Sequence, residues 1–308
     1  MKVLLTGSTG QLGQALIRTL PTSLSGESVQ LFKCARSSSD ADIIVDLADH
    51  AHLQDTILSL RPDWVINAGA YTAVDQAEAD PHKAACVNTG APSALAKALK
   101  LVGGKLLQIS TDFVFNGRQS TPYLPSQDVD PLGVYGATKA AGEQAIRDTL
   151  PLDRYCILRT SWVYGPVGKN FLLTMLRLQS ERDQISVVSD QVGSPTSTAS
   201  LAAACWSILA EDLTGLHHWC DAGVASWYDF AVAISELGFE AGLIQQPATI
   251  KPIGTSDYPT PATRPNYSVL NTTSTRTALG IDPSHWRTEL KSVIDDRQSL
   301  LSAPPNGI

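Results

Sequence analysis

Tyr135 and Lys139 are the residues in this sequence with the clearest chemical potential, because they form a Tyr-x-x-x-Lys spacing within a helical pattern. Residues four apart share one face of a helix, so the ammonium group would lie close to the phenol. A free tyrosine has a pKa near ~10, and a neighbouring positive charge brings that pKa closer to neutrality. The pair therefore predicts a proton-transfer site, provided that other motifs support it, because the spacing also arises by chance.

A strand that ends in hydroxyl groups precedes this pair. The run from Lys105 to Ile109 is apolar enough for a buried strand, and Ser110 and Thr111 follow it. Open α/β sheets bind ligands at the carboxyl ends of their strands, which places Thr111 where it can hydrogen-bond a substrate carbonyl beside Tyr135. The competing interpretation is a Ser/Thr pair that caps a turn.

Three glycines near the start of the chain indicate a nucleotide site. Gly7, Gly10 and Gly13 have the spacing G-x-x-G-x-x-G, between an apolar strand and an amphipathic helix. Such glycines permit a tight turn, close approach of a pyrophosphate, and packing of the helix on the strand. The helix start then offers free N–H groups to the phosphates. A turn without a ligand is the alternative, and the context favours a dinucleotide.

The region expected to bind the adenosine carries bases rather than an acid. Arg36 and three serines follow the second predicted strand, where an Asp or Glu usually binds the ribose hydroxyls. A guanidinium with hydroxyl neighbours suits a 2′-phosphate, which favours NADPH and leaves NADH open. A solvated loop arginine is the alternative. Asp46 and Leu47 follow the third strand and could flank the adenine.

The elements that must position these residues alternate along the first half of the chain. Apolar runs predict strands at 3–5, 29–32, 43–45, 64–66, 105–109 and 155–158, and helical patterns lie near 11–20, 50–60, 81–101 and 135–150. This order predicts an α/β protein with a Rossmann-type, doubly wound parallel sheet. We expect residues 1–160 to form the dinucleotide-binding domain. Residues 161–308 would form a smaller α/β C-terminal, mainly substrate-binding portion, with some segments returning to the first domain.

In the later part of the chain, helical patterns are separated by loops that contain proline and glycine. The helical patterns lie near 170–180, 197–210 and 227–236, and the loops include 190–196 and 254–265. The stretch 258–265 is too rich in proline for a helix or strand and must be a loop. His217 and His218 lie in an apolar run without a third ligand at zinc spacing, so we interpret them as structural.

Composition excludes several classes of function. A net charge of −7 gives no overall attraction for nucleic acid or an anionic membrane. No run reaches the ~18 apolar residues of a membrane span. The five cysteines form no C-x-x-C pair, which predicts reduced thiols and a cytoplasmic protein without a structural metal.

Taken together, these motifs resemble the extended short-chain dehydrogenase/reductase family, and within it the dTDP-4-dehydrorhamnose reductase family. The resemblance spans nearly the whole chain and rests on segments 6–13, 67–75, 110–115, 135–139, 158–165, 190–196, 226–230 and 264–265. It implies hydride transfer from NADPH or NADH to the 4-keto carbon of a dTDP-linked deoxysugar, taking dTDP-4-dehydrorhamnose to dTDP-L-rhamnose. That reaction belongs to nucleotide-sugar and cell-surface polysaccharide biosynthesis.

The resemblance also implies roles for individual residues. The cofactor residues would be Gly10, Gln11 and Leu12 at the pyrophosphate, Asp46 and Leu47 at the adenine, and Ala68, Gly69 and Ala70 at the ribose and nicotinamide. The substrate residues would be Thr111, Asp112, Tyr135, Trp162, Asn170 and Arg264. In this scheme Tyr135 supplies the proton, Lys139 holds the nicotinamide ribose and tunes Tyr135, and Thr111 polarises the carbonyl.

Two positions depart from the family pattern. Gly69 replaces a more usual alanine, a change that should leave backbone contacts intact. Ala15 stands where some relatives carry a glutamate that helps bind magnesium at a dimer interface. A homodimer is conceivable, but a metal-bridged one is not expected.

Three other functions share this fold. A 4,6-dehydratase needs acid and base residues after Thr111, and Phe113 cannot transfer a proton. A nucleotide-sugar epimerase is disfavoured by the Trp162 and Arg264 motifs. A non-catalytic NADP-binding subunit, resembling the regulatory subunit of methionine adenosyltransferase, is the third. Retention of Thr111, Tyr135 and Lys139 argues for catalysis.

Overall fold

The centre of the protein is a seven-stranded sheet, described here from a computed structural model that covers residues 1–282 and 284–302. Its strands lie in the order β13-β8-β7-β6-β1-β4-β5, and every neighbouring pair is parallel. They are β1 (Lys2–Thr6), β4 (Gln30–Ala35), β5 (Ile43–Ile44), β6 (Trp64–Asn67), β7 (Lys105–Thr111), β8 (Tyr155–Thr160) and β13 (Gly215–His218). All six predicted strands are present, so the doubly wound parallel sheet is confirmed; β13 was not predicted.

Helices cover both faces of this sheet. The helices are α1 (Gln11–Arg18), α2 (His50–Leu60), α3 (Val74–Ala79), α4 (Pro81–Ala85), α5 (Ala91–Val102), α6 (Val134–Thr149), α7 (Phe171–Glu181), α8 (Thr198–Ala210), α9 (Trp227–Glu240), α10 (Thr273–Leu279) and α11 (Trp286–Ser302). Val3 and Leu5 of β1 pack against α1 and α8, whereas Leu4 belongs to the core under α2, α5 and α6. This alternation follows from the two-residue period of a strand. No described helix has the length and apolar character needed to cross a membrane.

The helix predicted at 81–101 is interrupted. A π-helical turn, Cys86–Gly90, separates α4 from α5. The reason is Pro92, which has no N–H to donate and cannot pair with the Asn88 carbonyl. The Ala91 N–H instead reaches back to the Cys86 carbonyl, which also accepts a hydrogen bond from His50 Nε2 at 2.8 Å, in the tautomer that carries the proton there.

The chain after β8 builds a third core around α7, α9 and α11. Its short strands pair as β10 (Gln184–Val188) with β15 (Thr249–Ile253), β9 (Val163–Tyr164) with β12 (Thr196–Ser197), and β11 (Val192–Gly193) with β14 (Ala225–Ser226). A small hairpin, β2 (Ser23–Leu24) and β3 (Glu27–Ser28), precedes β4. The segment 258–265 contains no helix or strand, as predicted. All five cysteines are free thiols and four of them are buried.

Candidate functional site

The glycine turn has a geometry that only glycine satisfies. Gly7 has a φ of +66°, and a Cβ on it would lie 2.6 Å from the Gly69 backbone nitrogen. A Cβ on Gly13 would lie 2.2 Å from the Gly7 carbonyl oxygen. Helix α1 starts directly after Gly10, which provides no side-chain cap. The turn therefore presents backbone N–H groups at a helix start, an arrangement suited to a pyrophosphate.

A cavity of about 300 Å³ opens beside this turn. Six of the predicted cofactor residues line it, namely Gly7, Arg36, Asp46, Leu47, Gly69 and Ala70. Five others lie outside its lining: Gly10 in the adjoining turn, Gln11, Leu12 and Gly13 in the first turn of α1, and Ala68 directly after β6. The Arg36 side chain is exposed and makes no hydrogen bond or ion pair with any residue the structure describes. The cavity thus brings the glycine turn and the predicted adenosine residues together.

The predicted proton-transfer residues also come together. The Tyr135 phenol, at the start of α6, lies close enough to Thr111, at the end of β7, for the threonine side chain to oppose the rise in the tyrosine pKa. Thr111 Oγ1 also donates to Asp112 Oδ1 at 3.1 Å. The helix approaches the strand end closely because position 136 is glycine, where a Cβ would be 2.1 Å from the Phe113 carbonyl oxygen. The edge of the Phe113 ring packs on Tyr135, with ring centres 5.6 Å apart.

Lys139 lies one turn along α6 from Tyr135 and donates to a backbone carbonyl. Its side chain is buried, and Nζ donates to the Ile109 carbonyl at 2.6 Å. Burial lowers the pKa of Lys139 to about 8, and the Glu143 charge opposes that shift. Burial raises the pKa of Tyr135 to about 12; the Thr111 hydrogen bond opposes this shift and the Asp112 charge adds to it. Burial is thus the largest influence on the pKa of Tyr135, and the tuning of this pKa by Lys139 stays a prediction.

Asp112 is an acidic group directly beside Thr111. It is 2% exposed, and its Oδ2 has no well-aligned hydrogen-bond partner among the described residues. Burial raises the pKa of Asp112 to about 6, against opposing hydrogen bonds from Ser268 and Thr111. A buried oxygen without a partner is costly, so this position favours a ligand group that donates a hydrogen bond.

Beneath these residues lies a buried ionic group, which we call the floor cluster: Ser110, Glu143 and Arg159. Arg159 pairs bidentately with Glu143, at 2.9 Å from Nε to Oε1 and 2.6 Å from Nη2 to Oε2, and both side chains are 1% exposed. Ser110 Oγ donates to Glu143 Oε1 at 2.5 Å. The cluster joins α6, β7 and β8. Sequence reasoning missed it, although Glu143 lies on the same helix face as Tyr135 and Lys139.

A second ion pair ties down the proline-rich loop, and we call it the rim pair: Asp75 and Arg264. The Arg264 guanidinium contacts Asp75 at 3.1 and 2.8 Å, and it also donates to the Thr260 hydroxyl at 2.5 Å. Arg264 holds the pKa of Asp75 below its usual range. No hydrogen bond joins Arg264 to Tyr135 within the described ranges, so the structure gives it a loop-holding contact.

The remaining predicted substrate residues occupy two different settings. Trp162 lies between β8 and β9, has a left-handed φ of +47°, and stacks on Trp227 with ring centres 3.6 Å apart. Asn170 caps α7 by accepting from the Leu173 N–H at 2.9 Å, and its amide donates to Gln11 Oε1 at 2.7 Å. The Asn170 amide is thus engaged by the protein and connects α7 to the glycine turn.

Comparison with known proteins identifies the family. The family model described as the RmlD substrate binding domain matches residues 1–299. The dTDP-4-dehydrorhamnose reductase of Escherichia coli is 36% identical over 302 residues, covering 96% of this chain and 98% of its own. The crystal structure of the Bacillus anthracis dTDP-4-dehydrorhamnose reductase, in complex with NADP, superposes with a TM-score of 0.87 at 33% identity, covering 96% of this chain and 99% of its own.

More distant structures share only the fold. A Thermus thermophilus UDP-glucose 4-epimerase has a TM-score of 0.79 at 18% identity, covering 97% of this chain and 99% of its own. With a family model that spans almost all of the sequence, and relatives of similar length above 30% identity, this chain belongs to the RmlD substrate binding domain family.

Proposed function

We propose that this protein reduces the 4-keto group of a dTDP-linked deoxysugar with NAD(P)H, converting dTDP-4-dehydrorhamnose to dTDP-L-rhamnose for polysaccharide biosynthesis. The observation that carries the proposal is the Tyr135–Thr111 contact at the carboxyl end of β7, with Lys139 one helical turn away. The names of the relatives and the NADP complex of one of them point to the same reaction.

The chain's own residues account for the proton and for orientation. The reduced nicotinamide supplies the hydride. Because burial keeps the pKa of Tyr135 near 12, the phenol holds its proton at neutral pH and can deliver it to the carbonyl oxygen as that oxygen gains charge. Thr111 would hydrogen-bond the same oxygen, and Lys139 would bind the nicotinamide ribose while its charge favours the developing phenolate.

The cofactor fits the residues that are present. Glycine at positions 7 and 13 permits the tight turn, since a Cβ there would clash with neighbouring backbone. The uncapped start of α1 at Gly10 would offer N–H groups to a pyrophosphate, and the adjoining cavity would hold the adenosine end. Arg36 favours NADPH over NADH, since its guanidinium suits a phosphate and has no partner among the described residues. We propose that residues 1–160 mainly hold the cofactor and that the later portion mainly holds the sugar nucleotide.

The sugar would lie between Asp112 and Trp162. Asp112 Oδ2, which has no well-aligned partner among the described residues, would accept a hydrogen bond from a sugar hydroxyl. The stacked Trp162 and Trp227 rings offer a flat apolar surface. Arg264 and Asn170 contribute by holding the surrounding loops, and direct contact with the substrate would require them to exchange protein partners. Phe113, beside Tyr135, offers no proton for a dehydration.

The experiment is a reductase assay that follows NADPH absorbance with dTDP-4-dehydrorhamnose, run in parallel with NADH and other 4-keto sugars. Tyr135→Phe should lower turnover about 10²–10⁴-fold, the usual contribution of a general acid, and leave NADPH affinity within about twofold, which supports a proton-transfer role.

Tyr155→Phe is the matched control, because Tyr155 is the first residue of β8 and the candidate site lies at the carboxyl ends of the strands. This variant should behave like the wild type. Full activity in Tyr135→Phe would remove this residue from the mechanism. A flat trace from wild-type protein that binds NADPH would favour the non-catalytic subunit, and exchange at a sugar carbon without net NADPH consumption would favour an epimerase.

The homodimer is likewise a proposal. Light scattering of the purified protein, with and without a chelator, would test both dimer formation and the expectation that no metal bridges it.

A further inference from the structure

One lysine in the cofactor cavity is explained by none of the motifs. Lys83, on α4, lines the 300 Å³ cavity together with Arg36 and Val87. Its backbone N–H donates to the Asp80 side chain at 3.0 Å. Its ammonium group makes no hydrogen bond or ion pair with the residues that the structure describes, and the side chain is exposed to the cavity and solvent. The positive charge of Lys83 is therefore free to bind a ligand.

The charges around the cavity favour an anion. Its lining contains two basic side chains, Arg36 and Lys83, and one acid, Asp46. Asp46 Oδ1 already accepts a hydrogen bond from the Ala48 N–H at 2.9 Å. Arg36 comes from the end of β4 and Lys83 from α4, so two separate elements direct positive charge into one cavity. An anionic group bound there would meet more positive than negative charge.

The π-helical turn helps to fix Lys83 in this place. Val87 lies in the turn, four residues after Lys83, and both residues line the cavity. The extra residue of a π-turn rotates the helix before it relative to the helix after it. His50 Nε2, bonded to the Cys86 carbonyl at 2.8 Å, holds the turn against α2. The sequence therefore builds this helix so that Lys83 and Val87 face the cavity.

We propose that Lys83 is a specificity residue that, with Arg36, binds the 2′-phosphate of NADPH, while Val87 packs against the adenine. This inference rests on the proposed function in assigning a nicotinamide cofactor. A 2′-phosphate carries close to two negative charges at neutral pH, as other phosphomonoesters do, and NADH lacks it. Lys83 thus distinguishes the two cofactors at a position that the glycine turn does not contact.

The test is equilibrium binding of 2′,5′-ADP and 5′-AMP, then of NADPH and NADH, to wild type, Lys83→Ala, Lys83→Gln and Arg36→Ala. We expect Lys83→Ala to weaken 2′,5′-ADP and NADPH about tenfold, as loss of one charge-assisted contact would, and to change 5′-AMP and NADH less than twofold. Lys97→Ala, on the exposed face of α5 and outside the cavity, is the matched control and should change neither ligand.

Three results would overturn the proposal. These are equal losses for phosphorylated and unphosphorylated ligands in Lys83→Ala, no loss for either, or no binding of 2′,5′-ADP by the wild type. The result is separable from the reductase assay, because 2′,5′-ADP requires no turnover. If the wild type bound 2′,5′-ADP selectively but reduced no 4-keto sugar, the proposed function would be contradicted and the role of Lys83 would still hold.

Discussion

The floor cluster and the rim pair use the same chemistry, an arginine on a carboxylate, in opposite surroundings. In the floor cluster, Arg159 and Glu143 are each 1% exposed, whereas in the rim pair Arg264 and Asp75 are 24% and 40% exposed. Burying an ion pair requires both charges to be desolvated, and removing one partner is strongly destabilising because it leaves the other charge buried alone. An exposed pair contributes little to stability. We infer that the floor fixes the geometry of the catalytic helix and that the rim holds a loop which can be released.

The floor cluster and the rim pair also position different parts of the site. Ser110, next to Thr111, and Glu143, two turns along α6 from Tyr135, are joined by one hydrogen bond. The floor cluster therefore sets how the helix that carries the phenol meets the strand end that carries the hydroxyl. The rim pair instead joins the segment 258–265 to the start of α3, at the outer edge of the site.

The largest expected effect comes from breaking the floor cluster. Glu143→Gln leaves the Arg159 charge buried without a counter-charge, so the free energy of unfolding should fall by about 3–5 kcal/mol. Urea unfolding at neutral pH measures this change. Glu236→Gln, which removes an exposed partner of Arg287, is the control and should cost less than about 1 kcal/mol.

The double variant Glu143→Gln/Arg159→Met sharpens the result. Removing both charges should recover much of the lost stability, because neither member of the pair is then left as a buried ion without its counter-charge. If Glu143→Gln alone cost no more than Glu236→Gln, the distinction between floor and rim would be untenable.

An intermediate effect on stability is expected at Asp112, which is buried like the floor cluster but lacks a counter-charge. Burial raises its pKa to about 6 in the folded protein, against about 3.9 when unfolded. The folded state therefore holds the proton more tightly, and stability falls as pH rises from about 4 to about 6. Asp112→Asn should raise the free energy of unfolding by about 1–3 kcal/mol at pH 8 and change it little at pH 4.

Urea unfolding at both pH values measures this difference. The same variant should bind the sugar less well, since the carboxylate acceptor is lost. A gain in stability that is equal at both pH values would show that the carboxyl does not titrate in this range.

The smallest effect on stability is expected at the rim. Arg264→Ala should lower the free energy of unfolding by at most about 1 kcal/mol. The KM for the sugar nucleotide should rise several-fold with little change in kcat, because only the loop loses the contact that holds it. Steady-state kinetics and urea unfolding measure the two quantities. Asp75→Asn is the informative partner. Matching increases in KM support a shared loop-holding role, and an increase in Arg264→Ala alone would mean that Arg264 contacts the substrate.

Sequence periodicity predicted the sheet well and the polar contacts poorly. The helix at 50–60 matches its predicted bounds, because Asp49 caps it and apolar residues repeat along one face. Strand β13 was missed, since its four residues, Gly215–His218, are too few to show a strand pattern. The strand exists through its pairing with β8. His217 and His218 lie in that strand, and His218 is buried beside Arg159 at 3.5 Å, consistent with a structural role.

The site shows a similar division. The residues at strand ends and in the glycine turn follow from spacing, because the topology of an open sheet brings them together. The floor cluster depends on a contact between residues 143 and 159, and the rim pair on residues 75 and 264. Neither pairing leaves a local pattern, so only three-dimensional packing reveals them. Pro92 did carry a signal for the break in the predicted helix, and its meaning required the π-turn to be seen.

The place of β13 in the sheet has a consequence for how the protein is made. Strand β8 ends at Thr160, but its outer neighbour, and the helix α8 that covers α1, come from residues 198–218. On the ribosome, the nascent chain that has emerged as far as residue 160 therefore exposes an unpaired strand edge and an uncovered apolar helix face. Such surfaces attract other chains. We expect the nascent chain to depend on chaperones until about sixty more residues have been synthesised. We also expect a truncated protein that ends at residue 160 to aggregate.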